Sequence, residues 1–188
     1  MEVIAANKPL GAVAVLILVF GLTILALRWP QGIHATFSRH AAAQKKTIIY
    51  YIVLFLLALP TLLVFFITWL VPALHLSKWF IVLAVTSMVL QHAVTLIPEI
   101  GGWRSKWHGI LTACSALLLI PMLFLIIIAP IGTTGSKLIS VACLVVMASI
   151  VTYQLLIADK QKLRYLLFLQ AGYYGAFFTA MLTVTYLQ

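Results

Sequence analysis

The chain has 188 residues, of which 64% are hydrophobic and only 8% are charged, and its formal net charge is +9. A soluble domain carries about 25% charged residues, so a soluble fold of this chain would have a largely apolar surface. The composition therefore predicts a membrane protein. The twelve Lys and Arg residues are spread over short loops and form no basic face, so we expect no nucleic-acid partner.

Six apolar runs follow one another along the chain, each close to the roughly 20 residues that a helix needs to cross a bilayer. They are sustained runs without period-two alternation, which argues against a membrane β-barrel. We predict an all-α fold, a bundle of six transmembrane helices that forms one domain over residues 1–188. The predicted spans are residues 10–27, 48–70, 79–97, 107–129, 138–158 and 163–187.

The N-terminal flank begins with an acidic residue and the run behind it is long, so we expect an uncleaved first span and not a signal peptide. The first connection, residues 28–47, is the longest. Its second half, HATFSRHAAAQKK, has two readings that the sequence leaves open. It is either a short amphipathic helix on the membrane surface, with Phe37 towards lipid, or a solvated basic loop.

The positive charges are distributed unequally between the two ends of the predicted bundle. The connections over residues 28–47, 98–106 and 158–164 hold nine of the twelve Lys and Arg residues, and the N-terminal tail and the other two connections hold three. We call the end with the nine charges the basic end. The positive-inside rule places the basic end in the cytoplasm and both termini outside, which we expect in a bacterial inner membrane.

Proline and small residues predict local features of single helices. Pro60 and Pro121 lie inside predicted spans two and four, where each removes one backbone hydrogen bond and should kink the helix. Gly172, Ala176 and Ala180 recur at four-residue spacing in span six, which allows close approach of another helix. This stripe serves either packing within the bundle or contact with a second copy or a larger complex.

The segment over residues 91–108, QHAVTLIPEIGGWRSKWH, gathers polar and ionisable residues next to apolar spans. Such groups are costly at membrane depth and mark a candidate site. Thr112 and Ser115 follow His108 at positions i+4 and i+7, on one helix face. Gln154 and Gln170 fall at similar depths in spans five and six. The predicted ligand-binding residues are Gln91, His92, His108, Thr112, Ser115, Gln154 and Gln170.

The mouth of this predicted site holds Glu99, Arg104 and Lys106. We expect Glu99 to pair with Arg104 or Lys106, and we expect the two cations to attract an anionic lipid headgroup. The resulting hypothesis is a non-enzymatic membrane protein with a polar cavity at the basic end that binds a small molecule or a lipid headgroup.

Three alternatives remain open from the sequence. In the first, the glutamines and histidines bind no ligand and only form the interhelical hydrogen bonds that hold many bundles together. A membrane-embedded enzyme would use His92, His108 and Glu99, with zinc or haem at the histidines, although we predict no cofactor and assign no catalytic residue. A small accessory subunit of a larger membrane complex is the third alternative.

Three sequence segments carry a resemblance to a known family. A span ends in LIPE, the next opens with WHGILTACSALLLIP, and span six contains YLLFLQAGYYGAFF. In these segments the chain resembles a bacterial six-span family of unknown function that is distantly similar to DRAM/Frag-like membrane proteins. The resemblance implies a six-helix bundle with His108 at a shared position, and it implies no activity. Gln91, His92 and the basic first connection have no counterpart in that pattern.

Overall fold

The computed structural model describes residues 6–97, 99–156 and 165–187, and none of these residues lies in a β-strand. Six helices are long and apolar enough to cross a membrane, and we call them spans one to six. They are Pro9–Arg28, Lys45–Leu74, Trp79–Leu96, Gly102–Ile127, Thr134–Leu156 and Leu166–Tyr186. The predicted all-α fold with six transmembrane helices is confirmed.

Two spans begin earlier at the basic end than their apolar runs predict. Span two begins at Lys45 and not at residue 48, and span four begins at Gly102 and not at residue 107. Helical hydrogen bonding continues through residues such as Lys46 and Arg104, whose long side chains reach headgroups while their backbone stays in the helix. The hydropathy of the sequence marks where the apolar run begins, and the helix itself begins several residues before that run.

Spans two and four contain irregular turns near prolines. Span two is α-helical over Lys45–Phe65, forms a π turn over Phe66–Leu70 and ends with the short helix Val71–Leu74. The span remains α-helical through Pro60, and the irregular turn lies beside Pro72 instead. Span four consists of Gly102–Leu117 and Leu119–Ile127. Its interruption lies one turn before Pro121, which has no amide hydrogen to donate to the preceding turn.

The spans form a ring of five helices with one helix outside it. Spans one to four pack on each other in chain order, span six contacts the second half of span four, and span six touches span one sparsely to close the ring. Span five packs against spans four and six from the outside. The centre of the molecule is therefore surrounded by spans one, two, three, four and six.

Glycines allow span one to lie close to span two. A Cβ atom at Gly21 would collide with the side chain of Leu54, and one at Gly11 would come within 2.8 Å of the Phe65 ring. The Tyr50 hydroxyl donates a hydrogen bond to the carbonyl of Gly21 at 3.0 Å. Glycine at these positions lets the two backbones approach to a distance that a side chain would prevent.

The small residues of span six face neighbouring helices of the same chain. Ala180 is fully buried, and a Cβ atom at Gly172 would lie 3.5 Å from Ile150 of span five. Packing within the bundle accounts for Ala180, whereas Gly172 is exposed and a side chain there would make an ordinary contact with Ile150. Contact of the Gly172, Ala176 and Ala180 stripe with a second copy stays a prediction.

The first connection folds back over the basic end of the bundle. It contains a six-residue helix, Phe37–Ala42, which we call the loop helix. Thr36 caps it by accepting a hydrogen bond from the amide of Arg39 at 3.1 Å. Ser38, His40 and Ala41 are buried. Of the two readings that the sequence left open, the structure has a short helix, but it packs on the protein and Phe37 lines the bundle instead of pointing away from it.

The opposite end is held together by a cation between aromatic rings. The Lys8 ammonium lies 5.4 Å from the ring centroid of Trp69 and 5.1 Å from that of Tyr186. The Tyr186 hydroxyl also donates a hydrogen bond to the carbonyl of Lys8 at 3.3 Å. Lys8 thereby joins spans one, two and six where the ring closes.

Candidate functional site

A cavity lies at the centre of the five-helix ring, beneath the loop helix. About 90 Å³ of it can hold the centre of a water molecule, and the empty space between its lining atoms totals about 840 Å³, including the part that is open to the outside. Spans one, two, three, four and six all contribute to its wall. Among the residues that the structure describes, span five contributes none.

The wall is apolar over most of its length and polar towards the basic end. Its polar residues come from the loop helix and from spans two, three, four and six. They are Ser38, Tyr51, Ser87, Gln91, His108, Thr112, Ser115, Gln170 and Tyr174. The apolar residues include Leu18, Leu22, Phe55, Leu59, Leu62, Phe66, Met88, Leu119, Met122, Phe177 and Phe178.

The cavity is long and narrow. On span two its lining extends from Tyr51 to Phe66, which corresponds to about 22 Å along the helix axis. That length exceeds the about 15 Å of hydrocarbon in one leaflet of a bilayer. Only about 90 Å³ is open to the centres of water-sized molecules, which over this length favours the width of a single hydrocarbon chain.

Gln91 is the most conspicuous polar residue of the wall. It lies five residues before the end of span three, about 8 Å from that end, and only 9% of it is exposed. Its carbonyl oxygen lies 3.4 Å from the Ser115 hydroxyl, whose proton goes to the nearer carbonyl of Ser87, and its amide nitrogen donates to no residue that the structure describes. No side-chain nitrogen or oxygen of the described residues is both fully buried and unpaired, so the amide nitrogen of Gln91 is reached from the cavity, where a polar occupant can accept its hydrogen bond.

Two tyrosines and a second glutamine end at the same level. Tyr51 of span two and Tyr174 of span six line the cavity, and neither hydroxyl bonds to another of the described residues. Gln170 uses its carbonyl oxygen to accept a hydrogen bond from the amide of Phe37 at 3.2 Å. Since a backbone amide can only donate, the side-chain nitrogen of Gln170 is left as a donor.

Other polar residues of the wall are already satisfied by the protein. Ser87 and Ser115 each donate to the carbonyl of the other at 3.0 Å, which joins spans three and four. Thr112 donates to the carbonyl of His108 at 2.8 Å. The Nδ1 atom of His108 lies 2.6 Å from the carbonyl of Ile97, so Nδ1 carries the proton and Nε2 is the free ring nitrogen.

Glu99 anchors the loop helix to the connection between spans three and four. Its carboxylate accepts hydrogen bonds from Thr36 at 2.6 Å, from Ser38 at 2.9 Å and from the Nε atom of Arg39 at 2.8 Å. Burial alone would raise the pKa of Glu99, but these two hydroxyl groups and the Arg39 guanidinium outweigh it and hold the pKa below its ordinary value. Glu99 is therefore ionised and bound at neutral pH.

Five of the seven predicted ligand-binding residues line the cavity: Gln91, His108, Thr112, Ser115 and Gln170. His92 and Gln154 do not. His92 is turned away from Gln91 by the helical rotation of one residue, and its Nδ1 atom lies 2.8 Å from the carbonyl of Met88 in its own helix. Gln154 belongs to span five, which lies outside the ring. Equal depth in the membrane did not imply a shared face.

The prediction that Glu99 forms an ion pair with Arg104 or Lys106 is wrong. Glu99 binds Arg39 of the first connection, and not Arg104 or Lys106. Both of the latter residues are exposed, and the Arg104 guanidinium lies 5.7 Å from the ring centroid of Trp103. The loop helix brings Arg39 to Glu99 from 60 positions away in the chain, a contact that no local pattern indicates.

Sequence reasoning missed Ser38 and Tyr174 as wall residues and did not include Tyr51 in the site. The two tyrosines resemble ordinary aromatic residues of a span, and only their unpaired hydroxyls distinguish them. Within residues 6–97, 99–156 and 165–187, no three His, Cys, Asp or Glu residues are grouped so that they could hold a metal ion. Cys114 and Cys143 are both free thiols.

Comparison of the chain with family profiles, with curated proteins and with solved structures finds no match.

Proposed function

We propose that this integral membrane protein binds a single-chain lipid in its central cavity, with the lipid headgroup at the basic end and the tail between the spans. In this proposal the protein is non-enzymatic, and the polar cavity predicted from the sequence is the headgroup part of a longer site. The ligand enters from the bilayer that surrounds the protein.

The observation that carries the proposal is the unpaired amide of Gln91 at the end of an apolar channel. In a bundle where polar residues only joined helices, this amide would have a partner on a neighbouring span, as Ser87 and Ser115 have in each other. The amide nitrogen of Gln91 has none among the described residues, although only 9% of the residue is exposed. A ligand headgroup would supply the missing hydrogen bonds.

The apolar part of the wall supports a tail. Leu59, Leu62 and Phe66 of span two face Leu119 and Met122 of span four across a cavity that continues about 22 Å from Tyr51. A polar solute would leave this length without hydrogen-bonding partners, whereas a hydrocarbon chain needs none and passes from one apolar environment to another. The shape and the chemistry of the wall both fit an amphiphile.

We further propose that the basic end faces the cytoplasm of a bacterial cell, in the inner membrane, with both termini outside. The support is the distribution of nine against three Lys and Arg residues between the two ends. The headgroup part of the cavity would then lie in the cytoplasmic leaflet, and the exposed Arg104 and Lys106 would attract anionic headgroups of the surrounding bilayer.

The test fills the cavity and measures what remains bound. Ala84 lines the wall and is 1% exposed, so Ala84→Leu places extra carbon atoms into the tail channel. We expect the purified wild-type protein to retain a single-chain lipid in a one-to-one ratio by native mass spectrometry, and Ala84→Leu to retain at most a tenth of it.

Ala142→Leu is the matched control, because Ala142 is exposed on span five and lies away from the cavity. This variant should retain the lipid like the wild type. If the wild type carries no lipid above the level of bulk bilayer lipids, or if folded Ala84→Leu retains as much as Ala142→Leu, the proposed function is refuted.

A further inference from the structure

We infer that the headgroup bound at the basic end of the cavity is an uncharged carbonyl group, so that the ligand class is a single-chain lipid with a neutral carbonyl headgroup. This inference rests on the proposed function and narrows it. It follows from which hydrogen-bonding groups of the wall are unused and from where the nearest charges lie.

The unused hydrogen-bonding groups of the wall are two amide nitrogens, two tyrosine hydroxyls and Nε2 of His108, so groups that can donate are the majority. The amide nitrogen of Gln170 is a donor because its oxygen already accepts from Phe37. The Ser115 hydroxyl lies 3.4 Å from the oxygen of Gln91 but gives its proton to the nearer carbonyl of Ser87, so the amide nitrogen of Gln91 is a second donor without a partner among the described residues. Both nitrogens can only donate, so they need an acceptor atom on the ligand. The hydroxyls of Tyr51 and Tyr174 are able to donate to the same acceptor.

The charges near the wall disfavour an anionic headgroup. None of the residues that line the cavity is Lys, Arg, Asp or Glu. Ser38 separates the cavity from Glu99, and it donates its proton to that carboxylate at 2.9 Å. Arg39 lies beyond Glu99, with 54% of its side chain exposed. A carboxylate or phosphate in the cavity would meet a negative charge first and would lose its water without gaining a cation.

A cationic headgroup is disfavoured by the same residues. The two amide nitrogens direct their hydrogen atoms, and hence partial positive charge, at the headgroup position. The carboxylate of Glu99 already accepts three hydrogen bonds from the loop helix and its cap, so it is not free to pair with a ligand. A neutral acceptor is the headgroup that gains bonds without an unpaired charge.

Two kinds of membrane lipid supply such a headgroup. One is a quinone, whose ring carries two carbonyl oxygens and a single apolar tail. The other is a fatty acyl ester or aldehyde, which carries one carbonyl. Both offer a carbonyl oxygen to the donors in the same way. We therefore infer the carbonyl group itself, and the probes below distinguish a quinone from an acyl ester or aldehyde.

The experiment compares four probes on the full chain in lipid nanodiscs. Methyl palmitate and decylubiquinone carry neutral carbonyl groups, hexadecanesulfonate carries a permanent negative charge, and hexadecane has no headgroup. Dissociation constants are measured by displacement of a spin-labelled hexadecyl ester. We expect at least one carbonyl probe to bind roughly fivefold or more tightly than both hexadecane and hexadecanesulfonate. The tighter of the two carbonyl probes identifies the source.

Gln91→Leu tests whether the donors cause this preference. The variant keeps the size of the side chain and removes the amide, so the carbonyl probe should lose roughly fivefold in affinity while hexadecane is unchanged. Gln154→Leu is the matched control on span five, outside the cavity wall, and should change neither constant. Tyr51→Phe is the second donor variant and carries the test if Gln91→Leu does not fold.

The outcomes separate the inference from the proposed function. Tighter binding of hexadecanesulfonate than of both carbonyl probes, or equal losses in Gln91→Leu and Gln154→Leu, overturns the neutral carbonyl headgroup and leaves a lipid site in place. Failure of all four probes to displace the spin label from the cavity, with Ala84→Leu indistinguishable from wild type, overturns the lipid site itself.

Discussion

Glu99 and Gln91 are polar residues close to the same end of the bundle, and their surroundings are opposite. Glu99 is charged and accepts hydrogen bonds from three side chains, two of them uncharged and one a cation. Gln91 is neutral and more deeply placed, and its amide nitrogen has no partner among the residues that the structure describes. Protein groups satisfy the first residue, which gives it a structural role. The second is the residue to which the proposed ligand would bind.

We expect Glu99→Gln to lower the stability of the folded protein at neutral pH by about 1–3 kcal/mol, because the amide loses the charge that binds Thr36, Ser38 and Arg39. The measurement is the midpoint of thermal unfolding in detergent. Arg104→Gln is the matched control, since Arg104 is exposed and does not bind Glu99, and it should leave the midpoint unchanged within error.

The same residue predicts a dependence on pH. The pKa of Glu99 is lower in the folded protein than its ordinary value near 4.5. Its contribution to stability is therefore complete above that ordinary value and is lost as pH falls below it, through the lower pKa of the folded state. Wild-type stability should fall across this acidic window more steeply than that of Glu99→Gln. Parallel pH profiles of the two proteins would contradict the assigned role of Glu99.

Residue by residue, the sequence predicted one wall of the cavity and left the rest undetermined. His108, Thr112 and Ser115 share a helix face by spacing, and all three line the cavity. His92 was assigned by depth, but one residue of helical rotation moves it off the face of Gln91. The contact between Arg39 and Glu99 joins connections that are far apart in the chain, and helical periodicity carries no information about such a contact.

At the scale of single elements, the helices differ in how closely they can approach their neighbours. Span one meets span two through Gly11 and Gly21, and spans three and four are joined by the serine pair. The hydropathy of the sequence located all six helices, because an apolar run of span length has few other solutions in a membrane. It did not place the π turn beside Pro72, which depends on local backbone geometry that composition does not encode.

We expect Gly21→Val to destabilise the protein by about 1–3 kcal/mol, because the added carbon atoms collide with Leu54 and separate span one from span two. The hydrogen bond from Tyr50 to the carbonyl of residue 21 would lengthen at the same time. Gly175→Val is the control, since nothing lies within 4 Å of a Cβ atom at Gly175. Equal unfolding midpoints for the two variants would show that close approach at Gly21 is not required.

At the scale of the whole molecule, the ring of five spans forms the cavity and its two ends are closed differently. The loop helix covers the basic end, and Lys8 joins three spans at the other end. The number of spans was readable from the sequence. Their order around the ring was not, because the apolar character of span five lies within the range of the other spans and does not mark it as the one outside.

The proposed orientation has a direct test in single cysteines placed on exposed connections, in a background with Cys114 and Cys143 replaced by Ala. Gln31→Cys reports on the basic end and Ser77→Cys on the opposite end, and both positions are exposed. In intact cells, a membrane-impermeant maleimide should label residue 77 and should label residue 31 only after lysis. The reverse pattern would invert the topology and place the lipid headgroup in the outer leaflet.

Because the first and last spans close the ring, the cavity can form only after the last span has been synthesised. A ribosome releases spans one to five before span six exists, and during that interval the wall has a gap where Tyr174 and Phe177 will stand. Spans three and four already satisfy Ser87 and Ser115 between themselves, whereas Gln91 faces the open side of the nascent bundle. The cavity becomes enclosed only in the last step of synthesis, when the arriving helix completes an enclosure around whatever lipid the half-built protein has gathered.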